Sequence, residues 1–170
     1  MHDLAWLNEL DPEAVRTELL KCCGATGWAE AVERDRPYAS LEQLLAKATD
    51  VWWSLNETDW LEAFRSHPRI GERKAANAVS AQSQQWSAQE QQGVQNAAQQ
   101  TIDKLAQLNL DYEKKFGFIF IVCATGKSSD EILALLEQRL PNDASRELPI
   151  AAAEQAKITE LRLRKLVDYL

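Results

Sequence analysis

His67 is the side chain in this sequence best suited to moving a proton. Only two histidines occur in 170 residues, His2 and His67, and His2 sits on a terminus of the kind that frays. Imidazole is the one side chain whose ordinary pKa lets it both give and take a proton near neutrality. His67 opens the pentapeptide His67-Pro68-Arg69-Ile70-Gly71. Proline disfavours a helical backbone in the residue before it. His67 is therefore expected just past the end of the apolar-periodic run Trp60-Leu61-Glu62-Ala63-Phe64. Gly71 then permits a sharp turn. An imidazole at a helix exit, stiffened by a proline, is placed to face a pocket. The same five residues also read as a plain helix stop that hydrogen-bonds a carbonyl.

Acid/base work needs a partner, and Glu90 is the first candidate. Ser87-Ala88-Gln89-Glu90 has the spacing of a capping box. A carboxylate at a helix N-terminus tends to stay ionised because the macrodipole favours negative charge. Fixed beside an imidazole, it would complete an acid/base pair. Arg162 is the second candidate. It lies one turn from Ile158 and one turn from Leu166, so it shares their stripe. A guanidinium there either snorkels or binds a carboxylate. Lys165 points the same way. Leu163, Val167 and Leu170 lie opposite, so this helix is apolar nearly all round and part of it could face a second subunit. Arg69 and Arg73 add local positive charge and are expected to be solvated. Trp28, Trp52, Trp53 and Trp60 are expected in the core.

Cys22, Cys23 and Cys123 are an odd set with one adjacent pair, which is no disulfide framework. They lack metal-ligand spacing, and one interior histidine cannot complete a zinc set. They read as small buried hydrophobes in a reducing cytosol, and no metal is expected. The net charge of −7 argues against a nucleic-acid protein, which needs a basic face. Anionic small molecules remain open. Met1-His2-Asp3-Leu4 has neither the basic start nor the apolar core of a secretory leader. No segment approaches the length of a membrane span. No peroxisomal address, internal repeat, phosphate loop, nucleotide fingerprint or nucleophile elbow is present.

The elements that would position these residues are helical. A chain of 170 residues with 45% hydrophobic content suits one domain, residues 1–170, with a sizeable core. Asp11-Pro12-Glu13 is an N-cap, a first-turn proline and a first-turn acid, with Gly24 as the stop. A short helix is expected over about 28–33. Ser40-Leu41-Glu42-Gln43 opens a longer one through Trp52 and Trp53. Thr58 or Asp59 can cap the segment that runs into His67. Residues 72–86 read as partly helical and mobile. Ser87 is expected to open a helix to about Leu108. A turn near Asn109 then leads to a short helix that includes Tyr112. Ser128 starts another helix, which stops before Pro141. The last runs from about Asn142 to the terminus, with Pro149 as a possible break. The one β-like stretch, Phe116-Gly117-Phe118-Ile119-Phe120-Ile121-Val122-Cys123, has no strand to pair with. Periodicity leaves it as an extended buried segment or a hydrophobic helix. The class is all-α: a compact single-domain helical bundle with one extended apolar segment at about 116–124.

Taken in order, these residues resemble one family along nearly the whole chain. The matching motifs are Leu20-Lys21-Cys22-Cys23-Gly24, Trp28-Ala29, Arg36-Pro37-Tyr38, Asp59-Trp60-Leu61 and His67-Pro68-Arg69-Ile70-Gly71. They continue with Ser87-Ala88-Gln89-Glu90-Gln91, Tyr112-Glu113-Lys114-Lys115-Phe116-Gly117-Phe118, Phe120-Ile121-Val122-Cys123-Ala124, Lys157-Ile158 and Leu161-Arg162-Leu163. The sequence is similar to the decarboxylases of 2-oxo-4-hydroxy-4-carboxy-5-ureidoimidazoline (OHCU), carboxy-lyases that form (S)-allantoin in urate degradation. Ala25 departs from the family, where a serine is common. The resemblance implies an all-helical cytoplasmic homodimer acting on a small ureide without metal or cofactor, nucleic acid or membrane. It implies His67 as the catalytic residue, Glu90 as its acidic partner and Arg162 as the cation that meets the substrate. Pro68, Ser87, Gln91 and the backbone of Phe120, Ile121, Val122, Cys123 and Ala124 would line the site. Two alternatives stand beside it. One is a ureide hydrolase or racemase using the same pocket. The other is a non-catalytic helical interaction module.

Overall fold

The computed structural model describes residues 4–70, 80–92 and 98–169. They form nine helices: α1 Ala5–Glu9, α2 Pro12–Cys22, α3 Thr26–Arg34, α4 Leu41–Ser54, α5 Glu57–Arg65, α6 Ala81–Glu90, α7 Gln99–Phe116, α8 Ser129–Arg139 and α9 Ala144–Tyr169. There is no strand among the described residues, so the class is all-α as read from the sequence. Gly71, Arg73 and most of the polar stretch 72–86 lie outside the described residues. No described helix is long and apolar enough to cross a membrane.

Cap chemistry sets the helix starts. Asp11 accepts the Ala14 N–H at 2.9 Å, with Pro12 in the first turn. Ser40 takes the Gln43 N–H at 3.2 Å while the Gln43 amide oxygen takes the Ala39 N–H at 2.6 Å. Ser128 takes the Glu131 N–H at 3.2 Å. α3 begins after Ala25, which has no side-chain acceptor. Glu62 of α5 supplies one instead, accepting the Thr26 N–H at 2.7 Å and its hydroxyl at 3.1 Å.

Four expectations about helix caps and breaks are corrected. Asn56, rather than Thr58 or Asp59, caps α5: its Oδ1 accepts the Asp59 N–H at 3.1 Å. Ser87 does not open a helix. α6 starts seven residues earlier, where Ser80 accepts the Ser83 N–H at 3.1 Å. Ser87 is then inside a running helix, and its carbonyl takes the Gln91 N–H at 3.1 Å. There is no turn at Asn109, because its side-chain amide donates to the Leu105 carbonyl one turn back at 2.9 Å and is satisfied within α7. Pro149 does not break α9. A mid-helix proline costs about 3 kcal/mol against alanine, but its neighbours Glu147, Ala151 and Ala152 are fully buried, and tertiary packing holds the register.

The chain divides into two compact units. The first takes residues 4–63 with 156–169. Leu7, Val15, Leu19, Trp28, Val32, Leu44 and Trp52 fill its core. The Trp28 indole N–H donates to the Ala48 carbonyl at 3.0 Å. Arg36 gathers the carbonyls of Leu7, Asn8 and Leu10 at 2.8, 3.3 and 2.7 Å, so the Arg36-Pro37-Tyr38 motif ties down the end of α1. Trp53 stands 44% exposed, against the expectation that it is core.

The second unit takes residues 64–155. Leu105, Tyr112, Phe120, Val122, Ala124, Ile132 and Leu136 form its core. α7 ends at Phe116, and Gly117, at φ 81°, turns the chain out of the helix. The extended segment therefore starts at Gly117 rather than Phe116 and runs to Ala124, buried from Phe120 onward. Tyr112 packs its ring against Phe116 at 4.5 Å, Phe120 at 5.3 Å and Phe118 at 5.8 Å. That aromatic anchoring takes the place of a neighbouring strand.

Candidate active site

His67 lies in the second unit, just past the end of α5. Its backbone N–H donates to the Phe64 carbonyl at 3.2 Å, which closes the last turn. Pro68 then keeps the chain from continuing as helix. The imidazole is buried, and its Nε2 stands 2.6 Å from Oε1 of Gln155, itself fully buried on α9. Arg69 is not simply solvated. It makes a two-pronged pair with Glu113 of α7, Nε to Oε2 at 2.7 Å and the second nitrogen to Oε1 at 3.0 Å.

α6 carries Ser87, Glu90 and Gln91. Ser87 is buried, while Glu90 and Gln91 are half-buried. One turn separates Ser87 from Glu90 and from Gln91, so they share a helix face. Glu90 is the last residue of α6 rather than part of a first turn. The expected stabilisation by a helix N-terminus therefore does not apply, since this end presents carbonyls.

The extended segment is held by its own unit. Arg139 donates to the Ile121 carbonyl at 2.7 Å. The Cys123 N–H donates to buried Glu154 at 3.2 Å. Lys127 donates to the Cys123 carbonyl at 2.7 Å through its ammonium, and to the Ala124 carbonyl at 3.0 Å through its backbone. The Val122 N–H and C=O have no partner among the described residues. Buried backbone groups are nearly always paired, so this short run is ready for a ligand's hydrogen-bonding edge. Behind it lies a buried network. Arg139 pairs with Glu147 at 2.7 Å and stacks 4.5 Å from the Phe120 ring centre. The Tyr112 hydroxyl donates to Glu147 at 2.6 Å, and Asn142 donates to its other oxygen at 3.0 Å. Burial, then the carboxylate of Glu147, pushes the Tyr112 phenol well above its usual range.

Arg162 belongs to the first unit. It is buried to its guanidinium and donates to the Lys21 carbonyl at 3.3 Å, so it does not snorkel. Cys22 and Cys23 lie beside it. Burial pushes both thiols up, Cys23 to about 12, and the charge of Arg162 opposes the shift. Ile158, Leu163, Leu166 and Val167 are buried within this chain itself. No group of three His, Cys, Asp or Glu side chains among the described residues is arranged to hold a metal ion.

The sequence reading missed Glu147, Glu154, Gln155 and Arg139. A signal for two of them, Glu147 and Glu154, was present. Glu147, Ala151, Glu154, Ile158 and Arg162 follow one another at helical spacing, and all are buried. The stripe that drew attention to Arg162 therefore continues toward the start of α9 with two carboxylates on it and Gln155 beside it.

Residues 8–164 match the family model described as OHCU decarboxylase. The uric acid degradation bifunctional protein TTL of Arabidopsis thaliana is 40% identical over 146 residues, 85% of this chain and 45% of that protein. The 2-oxo-4-hydroxy-4-carboxy-5-ureidoimidazoline decarboxylase of Haloferax volcanii is 27% identical over 166 residues, 96% of both chains. A crystal structure of OHCU decarboxylase determined in the presence of (S)-allantoin has a TM-score of 0.77 and 37% identity, covering 89% of this chain and 98% of that one. This chain spans less than half the length of the bifunctional relatives it matches.

Proposed function

This chain belongs to the OHCU decarboxylase family, and from that premise we propose that it decarboxylates OHCU to (S)-allantoin in urate degradation. The family match runs across both units, which favours reading residues 8–164 as one functional domain. Within the structure, the observation that carries the proposal is the buried imidazole of His67, 2.6 Å from an amide oxygen.

The substrate supplies its own electron sink. Its carboxylate sits on a carbon next to a C=N bond. When the C–CO2 bond breaks, the electron pair forms a carbon–carbon double bond and the C=N pair moves to nitrogen, which takes up a proton. The resulting enol loses its hydroxyl proton as a proton arrives on the neighbouring carbon. The net change is release of CO2 with uptake of one proton. The work left to the protein is orientation and two proton movements around the hydroxyl and the new C–H bond. His67 and Glu90 are assigned these, with Arg162 orienting a carboxylate or ring oxygen. Pro68, Ser87 and Gln91 are assigned to the wall of the site. The unpartnered N–H and C=O of Val122 match the alternating donors and acceptors of a ureide edge. Delivery of the proton from one face gives one enantiomer. A homodimer in the cytoplasm completes the reading, and the three free, buried thiols suit a reducing compartment.

His67→Asn and Glu90→Gln, assayed on freshly generated OHCU, are expected to lose about a hundred- to ten-thousandfold in rate with unchanged far-ultraviolet circular dichroism. Full rate in His67→Asn would remove the imidazole from the chemistry.

A further inference from the structure

We propose that Arg139 is a positioning residue: by holding the Ile121 carbonyl, it aims the Val122 N–H at a carbonyl oxygen of the ureide substrate. The ligand rests on the decarboxylase reading; the hold on Ile121 does not. Arg139 is buried, and its donors are divided between two partners. Nε and one terminal nitrogen each meet Glu147 Oε1 at 2.7 Å, and the other terminal nitrogen donates to the Ile121 carbonyl at 2.7 Å. Glu147 is fixed in turn by the Tyr112 hydroxyl at 2.6 Å and the Asn142 amide at 3.0 Å. The guanidinium carbon also lies 4.5 Å from the Phe120 ring centre. Arg139 thus grips two successive residues of the extended segment.

A peptide unit is planar, and the Ile121–Val122 bond is trans. The Ile121 C=O and the Val122 N–H therefore point in opposite directions, and fixing one fixes the other. The next peptide repeats the arrangement. The Cys123 N–H donates to Glu154 at 3.2 Å, which sets the direction of the Val122 C=O. Two hydrogen bonds to α8 and α9 thus orient the donor and the acceptor of Val122, which take no partner among the described residues. These side chains supply the orientation that a β-ladder would give. A cation on the Ile121 carbonyl also polarises the peptide, which strengthens the Val122 N–H as a donor.

Ile121-Val122 is the one Ile–Val pair in the sequence. Isoleucine labelled with carbon-13 at its carbonyl and valine labelled with nitrogen-15 therefore isolate this single peptide by NMR. In the parent protein, saturating (S)-allantoin, the product under the proposed function, is expected to move the Val122 amide proton downfield. The paired change Arg139→Met with Glu147→Gln removes the grip on Ile121 and leaves no charge buried alone. In that variant the Ile121 carbonyl signal should shift without ligand. KM for OHCU should rise about three- to tenfold, the loss of one hydrogen bond. The kcat should change little, because the contact is remote from the carbon that loses CO2 and is lost equally from ground and transition states. A paired variant with a lower melting temperature but the parent's KM and allantoin-induced shift would overturn the proposal. So would a Val122 amide that allantoin leaves unmoved in the parent protein while OHCU is turned over, a result that needs no variant to fold. Absence of both OHCU turnover and allantoin binding would instead overturn the decarboxylase reading, and with it the ligand assigned to Val122.

Discussion

At the scale of single residues, Arg162 separates a structural from a catalytic cation. Its guanidinium already donates to the Lys21 carbonyl, so part of its donor set is used to hold α2. Under the proposed function the same guanidinium also orients a substrate oxygen. Arg162→Lys keeps the charge and loses the planar fork. The loss of a charge-assisted bond, about 1.5–3 kcal/mol, corresponds to roughly ten- to a hundredfold in kcat/KM, to be read against an unchanged melting temperature. An unaltered kcat/KM would restrict Arg162 to a structural role. The difference between what was legible and what was not is clear here. His67 was visible because histidine is rare in this chain and a proline follows it. Gln155 was invisible because a glutamine in an alanine-rich helix reads as solvated until its burial is known.

At the scale of elements, three helix starts were legible because Asp11, Ser40 and Ser128 each stand just before a first turn that needs an acceptor. α6 was misplaced because Ser80 and Ser87 both offer that chemistry, and Ser87 alone is followed by a glutamate at capping-box spacing. The structure gives the cap to Ser80. Ser80→Ala should therefore cost about 1 kcal/mol of stability and Ser80→Gly only a few tenths, measured by urea denaturation. A silent Ser80→Ala would contradict the assigned start of α6. The extended segment was half legible. Its composition announced burial, but two of the groups that hold its backbone come from α8 and α9, at Arg139 and Glu154, far away in sequence. Local patterning carries no trace of such partners.

At the scale of the whole molecule, the titratable groups inside the two units set an alkaline limit. Burial raises Cys22, Cys23, Tyr38 and Tyr112, with Cys23 at about 12 against an ordinary thiol near 9.0. Between those values the unfolded chain has released protons that the folded chain retains, so ionisation favours unfolding. Stability is thus fully kept below about pH 9 and should fall as pH rises above it, by up to about 1.4 kcal/mol per pH unit for each such group. Denaturation midpoints at pH 7, 9 and 10.5 check this, and a flat profile would contradict the burial of these groups. The all-α class was legible because the sequence offers one β-like stretch and many caps. Pro149 was open to misreading because propensity is local, whereas the packing that holds α9 through it is not.

The central claim is that this chain turns OHCU into a single enantiomer of allantoin. Circular dichroism recorded during urate oxidation by urate oxidase and hydroxyisourate hydrolase, with and without this protein, tests it most directly. Rapid growth of a persistent (S)-allantoin signal is the predicted result. Slow growth of optically inactive product in the presence of the folded protein would contradict it.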